Sequence, residues 1–141
     1  MQELVKKHAQ KIRFGIVGAG NTALDFAVLF ILVALGVDKI VANYFSTGAA
    51  FIVSFFVNKS FTFKSKGGNV KKQFALFIVV TLIGLWIIQP LIIGGISAVL
   101  ANTTLASGLI LFIAKLIATV ASLIWNYLFY SRLVFKKIED K

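Results

Sequence analysis

Residues 58–72 read Asn-Lys-Ser-Phe-Thr-Phe-Lys-Ser-Lys-Gly-Gly-Asn-Val-Lys-Lys, five lysines in a short segment between two long apolar stretches. Basic residues gather again before the first apolar stretch (Lys6, Lys7, Lys11, Arg13) and after the fourth (Arg132, Lys136, Lys137, Lys141). Thirteen of the fifteen Lys and Arg residues therefore lie in three blocks. The two alternate connections carry only Asp38 and Lys39 in one and no charge from Ser97 to Leu105 in the other. Basic residues concentrate in the cytoplasmic segments of membrane proteins. The pattern predicts an all-α membrane protein with four transmembrane helices and both termini cytoplasmic.

Composition agrees. Of 141 residues, 59% are hydrophobic and 14% charged, far from a soluble average. A formal charge of +10 raises the question of nucleic acid. The charge sits beside apolar spans, however, where anionic phospholipids are the natural partner, so no nucleic-acid role is expected. Without cysteine there are no disulfides or thiolate metal sites, and His8 stands alone, so no metal and no cofactor are expected. The chain leaves no room for a separate catalytic domain, which argues against an enzyme.

Residues 1–13 form a cytoplasmic or interfacial segment, in which Leu4, Val5, Ala9 and Ile12 make one helical stripe among lysines. The transmembrane domain covers 14–130, with spans at about 14–37, 40–57, 74–96 and 105–130, each near the ~20 residues a bilayer needs. A cytoplasmic tail covers 131–141. Gly67-Gly68 marks the flexible point of the inner loop, and Pro90 should distort the third span. Phe61, Phe63, Trp125, Tyr127, Phe129 and Tyr130 read as an interfacial aromatic belt. Ser54-Phe-Phe-Val-Asn58 is echoed by Ser122-Leu-Ile-Trp-Asn126, each followed by Phe-Lys, which points to two hairpins in a parallel repeat.

Polar groups inside a span are costly, and an ionisable one is a functional candidate. Asn21, Thr22 and Asp25 lie in the first span, with Asn21 and Asp25 four apart on one face. Asp25 follows Arg13 by about 18 Å of helix, near mid-membrane. Such a carboxyl is neutralised, paired or hydrated. Lys115 in the fourth span points toward its helix amino terminus and should snorkel to the outer headgroups rather than pair with Asp25. Asn43, Ser54, Asn58 and Asn126 complete the polar set; the plain reading of Asn21, Asn43, Asn58 and Asn126 is hydrogen-bonding between helices, at ~0.6 kcal/mol or somewhat more each. Gly18-Ala-Gly-Asn-Thr-Ala23 also spells a dinucleotide fingerprint, but no strand precedes it and it lies within a span.

These residues together make the chain resemble the GtrA-like family of four-span membrane proteins. The opening motif is Arg13-Phe14-x-x-Val17-Gly18-x-x-Asn21-Thr22-x-x-Asp25-Phe26. Ala42-Asn43 and Ser54-Phe55-x-x-Asn58-Lys59-x-Phe61-x-Phe63 match its second signature, and Asn126 with Arg132-x-Val-Phe135 its closing one. The region is also similar to the membrane part of some dolichol-phosphate-mannose synthases. The resemblance implies work on polyprenyl-phosphate-linked sugars for cell-surface polysaccharides in the cytoplasmic membrane. Either the protein flips the lipid-linked sugar, or it is a scaffold for a membrane-associated glycosyltransferase. In the first case Asn21, Thr22 and Asp25 offer a polar path, Lys59 and Arg132 hold the phosphate inside, and Lys115 receives it outside. Four helices are few to enclose a sugar, so a homo-oligomer is expected. A proton-coupled exporter working as an antiparallel dimer needs a weaker charge bias, and nothing in the sequence resembles an ion-channel filter.

Overall fold

The computed structural model describes residues 1–136, apart from the side chains of Lys7 and Ile40. It contains five α-helices: α1 (Gln2–Ala34), α2 (Lys39–Val57), α3 (Val70–Ile83), α4 (Gln89–Leu100) and α5 (Ser107–Phe129). Three π-helical turns interrupt or extend them, at Asn58–Thr62, Gly84–Ile88 and Tyr130–Val134. Four helical stretches are long and apolar enough to cross a membrane: Gln2–Ala34, Val41–Thr62, Val70–Leu100 and Ser107–Val134. The protein is thus an all-α, four-span membrane protein, and the helix expected at residues 1–12 runs directly into the first span. Of the expected tail, Lys137 and Lys141 fall outside the described residues.

The described residues form two hairpins, 1–68 and 69–136. In the first, Gly36 takes a φ of +86°, a left-handed conformation that costs glycine little. Its N–H bonds the Val33 carbonyl while the Val37 N–H bonds that of Leu32, closing α1 with a Schellman turn. Asp38 then caps α2 by accepting the Val41 N–H at 3.3 Å. Ala42, Ser46 and Ala50 form the buried stripe of α2. Small residues there allow α1 a close approach.

In the second hairpin, Asn69 caps α3 by accepting the Lys72 N–H at 3.1 Å. Gln73, Phe77, Val80 and Gly84 are buried at helical spacing; the next buried residue is Gln89, five positions on. The extra residue is the π turn. Pro90 has no N–H for the Trp86 carbonyl and its ring crowds that group, so the proline distortion takes the form of a widened turn. Gly84 faces α5 closely: a Cβ there would lie 3.2 Å from Asn126 Oδ1 and 3.5 Å from Ser122 Cβ. Gly84→Leu is expected to cost about 1–3 kcal/mol of overpacking. Thermal unfolding in detergent measures this, and an unchanged midpoint would contradict the contact.

The aromatic belt needs correction. Phe63 and Tyr130 are each only 3% exposed. Tyr130 stacks on Phe77 with ring centroids 4.6 Å apart, and its hydroxyl shares a 2.5 Å hydrogen bond with Thr81. Trp125 Nε1–H donates to the Val80 carbonyl at 3.0 Å. Phe63 directly follows the first π turn, whereas Tyr130 is set inward by α5 itself, its N–H still bonding the Asn126 carbonyl, and opens the third π turn.

The same turns set the register of the repeat. The Phe63 N–H bonds the Asn58 carbonyl at 2.9 Å, and the Phe135 N–H bonds that of Tyr130 at 2.8 Å. Asn58 therefore corresponds to Tyr130, one helical turn away from the Asn58–Asn126 match expected. In this register the buried Ala42, Ser46 and Ala50 fall on the buried Ala114, Ala118 and Ser122. In the leading helices, Phe14 meets Phe63 at 6.3 Å as Phe77 meets Phe135 at 6.2 Å. Val17 and Val80 follow as buried partners, and the π turn then brings Gln89 to the place Asp25 holds in α1.

Candidate functional site

In the first hairpin, α1 turns Asn21 and Asp25 toward α2. Asn21 lines a groove of about 270 Å³ with Ile16, Leu24, Ser54, Val57 and Phe61. Most of this lining is apolar, so the groove suits a hydrocarbon chain, with Asn21 and Ser54 as its polar marks. Behind Ser54, Asn58 is 3% exposed; its Nδ2 donates to the Ser54 carbonyl at 2.9 Å and to Ser54 Oγ at 3.2 Å. The Oδ1 atoms of Asn21 and Asn58 are buried and receive no hydrogen bond. An unsatisfied buried acceptor costs about 1–3 kcal/mol, so each is a position where a donor from a ligand or water is favoured.

Asp25 lies one turn beyond Asn21 and accepts from Thr47 Oγ1 at 3.5 Å, at the long limit of a hydrogen bond. Thr47 is a residue the sequence reading missed. At the opposite end of the groove, Arg13 places its guanidinium 6.0 Å from the ring centroid of Phe61, and its Nε is buried without an acceptor. In the sequence Arg13 belongs to the first basic block and the opening motif; the geometry adds that it lies over Phe61 of the groove lining.

The other expected residues are placed as follows. Thr22 Oγ1 donates to its own helix, to the Gly18 carbonyl at 3.1 Å. Asn43 belongs to a separate groove of about 620 Å³, with Phe30, Lys39 and Tyr44. Lys59 Nζ donates to the Gly67 carbonyl at 3.0 Å, tying the loop back onto the π turn. Arg132 is exposed on the third π turn.

In the second hairpin, Lys115 does not snorkel. Its Nζ donates to Gln89 Oε1 at 2.8 Å, and Gln89 Nε2 donates to Ser122 Oγ at 2.9 Å. Ser122 in turn donates to the Thr119 carbonyl at 3.1 Å. Gln89 and Ser122 are 7% and 4% exposed. The sequence marks Ser122 only as part of the repeat and does not mark Gln89 at all. Asn126 packs against Gly84, its Oδ1 also buried without a donor. Among the described residues, no three of His, Asp or Glu gather as metal ligands would.

The chain is similar to an uncharacterized membrane protein, YngA, of Bacillus subtilis (strain 168). The two are 29% identical over 116 residues, covering 82% of this chain and 72% of the relative. The profile of the GtrA/DPMS transmembrane domain matches residues 13–135, from the arginine beside the groove to the phenylalanine that closes the last π turn. By that match, which takes in both hairpins, the chain belongs to the GtrA/DPMS transmembrane-domain family.

Proposed function

We propose that this protein translocates a polyprenyl-phosphate-linked sugar across the cytoplasmic membrane, for glycosylation of cell-surface polysaccharide. The observation that carries the reading is the groove between α1 and α2, apolar along most of its lining and marked by Asn21 with its buried, unsatisfied acceptor. A prenyl chain is compatible with the apolar wall, while Asn21 and the carboxyl of Asp25 accept hydroxyl donors from the sugar. Arg13 offers guanidinium donors to the phosphate. The three basic blocks favour both termini in the cytoplasm. No catalytic step is required of the protein.

A scaffold that anchors a membrane-associated glycosyltransferase is the second reading, favoured by the family's DPMS membership and by the lysine-rich loop. Proteoliposomes containing the purified protein and undecaprenyl-phosphate-linked sugar separate the two. Movement of the sugar between leaflets above that in protein-free vesicles is expected. Folded, inserted protein that moves none, yet co-purifies with a transferase, would replace translocation by the scaffold.

A further inference from the structure

We infer that Lys115, Gln89 and Ser122 form a site for the phosphate of a lipid within the second hairpin. The inference rests on the reading above only in taking a lipid phosphate as ligand. Lys115 lies eight residues into α5, about 12 Å from its start. An ammonium there reaches the headgroups most cheaply by extending toward the amino terminus of its helix. It does the opposite. Gln89 bonds both Lys115 and Ser122, which are seven residues apart on one face of α5. To share that amide, Lys115 must bend toward Ser122 and away from the nearer helix end.

Two features hold it there. The π turn before Pro90 turns Gln89 onto α5, and Ser122 fixes the Gln89 amide by accepting from Nε2, leaving Oε1 aimed at the ammonium. Gln89 is a neutral acceptor and occupies one of the three ammonium donors. The sequence contains no Asp or Glu from residue 39 to residue 138, so the second hairpin supplies no carboxylate to the charge. A cation within an apolar span is costly unless it is paired, and an anion brought by a ligand is the pairing left to this hairpin. The residue itself is exposed at the helix surface, open to a lipid from the side. A phosphate monoester or diester meets both needs, accepting the remaining donors and balancing the charge.

The repeat register adds meaning. Gln89 holds the position that Asp25 holds in α1, and Lys115 the position of Asn43 in α2. The two hairpins thus carry different polar groups at matching places, a carboxyl in one and an ammonium in the other.

Lipid retention by the purified full chain tests this, read by native mass spectrometry after incubation with undecaprenyl phosphate, phosphatidylglycerol or phosphatidylcholine. Wild type is expected to retain a lipid phosphate, with Lys115→Gln and Gln89→Leu weaker by about tenfold and Lys115→Arg close to wild type. Preference for undecaprenyl phosphate identifies a substrate site, and equal retention of phosphatidylglycerol identifies a headgroup site. Retention unaffected by Lys115→Gln overturns the inference. If that variant fails to insert, a photoreactive undecaprenyl phosphate on wild type decides. Crosslinks at residues 89–93 or 112–122 support the site; crosslinks confined to residues 58–72 and 132–136 overturn it. Asp25→Asn is expected to keep this binding while losing transport, so each reading fails separately.

Discussion

Asp25→Asn is expected to insert and fold as the wild type does, yet to move lipid-linked sugar at least about tenfold more slowly, a loss of roughly 1.4 kcal/mol. The carboxyl contributes little to holding the hairpin together. Its hydrogen bond from Thr47 is 3.5 Å long, and Asp25 is only half-buried. Asparagine has the same shape and still offers an acceptor to Thr47. What it lacks is the second carboxyl oxygen, which a sugar hydroxyl or a proton would use. A carboxyl placed where it is energetically unfavourable, with little structural gain, fits a role in handling substrate. Transport in proteoliposomes, with insertion checked by protease protection, measures the effect. Equal initial rates for both proteins would remove Asp25 from the path.

Tyr130→Ala is expected to have the largest effect on stability, about 3–5 kcal/mol, in the range for deleting a large buried ring. The ring fills the space between Phe77, at 4.6 Å, and Phe135, at 6.1 Å, and closes the third π turn through its carbonyl. Truncation leaves a cavity and leaves Thr81 with only its bond to the Phe77 carbonyl. Tyr130→Phe keeps the stack and loses only the hydroxyl, so about 0.6–1.7 kcal/mol is expected. Thermal unfolding in a mild detergent resolves the two. A Tyr130→Ala protein that melts beside Tyr130→Phe would show that the stack carries little of the hairpin's stability.

Much of the site was legible because its cues are local. Asn21 and Asp25 stand four apart, and a helix of ordinary pitch puts such residues on one face. Ser54 and Asn58 have the same spacing and do bond each other. Thr47 was passed over because a threonine in a span has many plain explanations, and only the approach of α1 marks it. Lys115 was read correctly as an anomaly and wrongly as a snorkelling residue, since its amide partner lies 26 positions away.

From the sequence alone came the four spans, the three basic blocks and the family motifs. Crossing a bilayer is a transfer property of ~20 consecutive residues, and charge bias is counted locally; neither depends on what a helix packs against. The tertiary structure alone decided which face each helix presents beyond a π turn. A π turn inserts one residue, and one residue is about 100° of rotation around an α-helix. At regular pitch after Gly84, residues 87 and 88 would face α5 and Gln89 would point away. The inserted residue instead delivers Gln89 to Lys115 and Ser122. The matching turns after Asn58 and Tyr130 likewise deliver Phe63 to Phe14 and Phe135 to Phe77. Apart from Pro90, no residue type marks these turns, because they are stabilised by contacts between segments far apart in the chain.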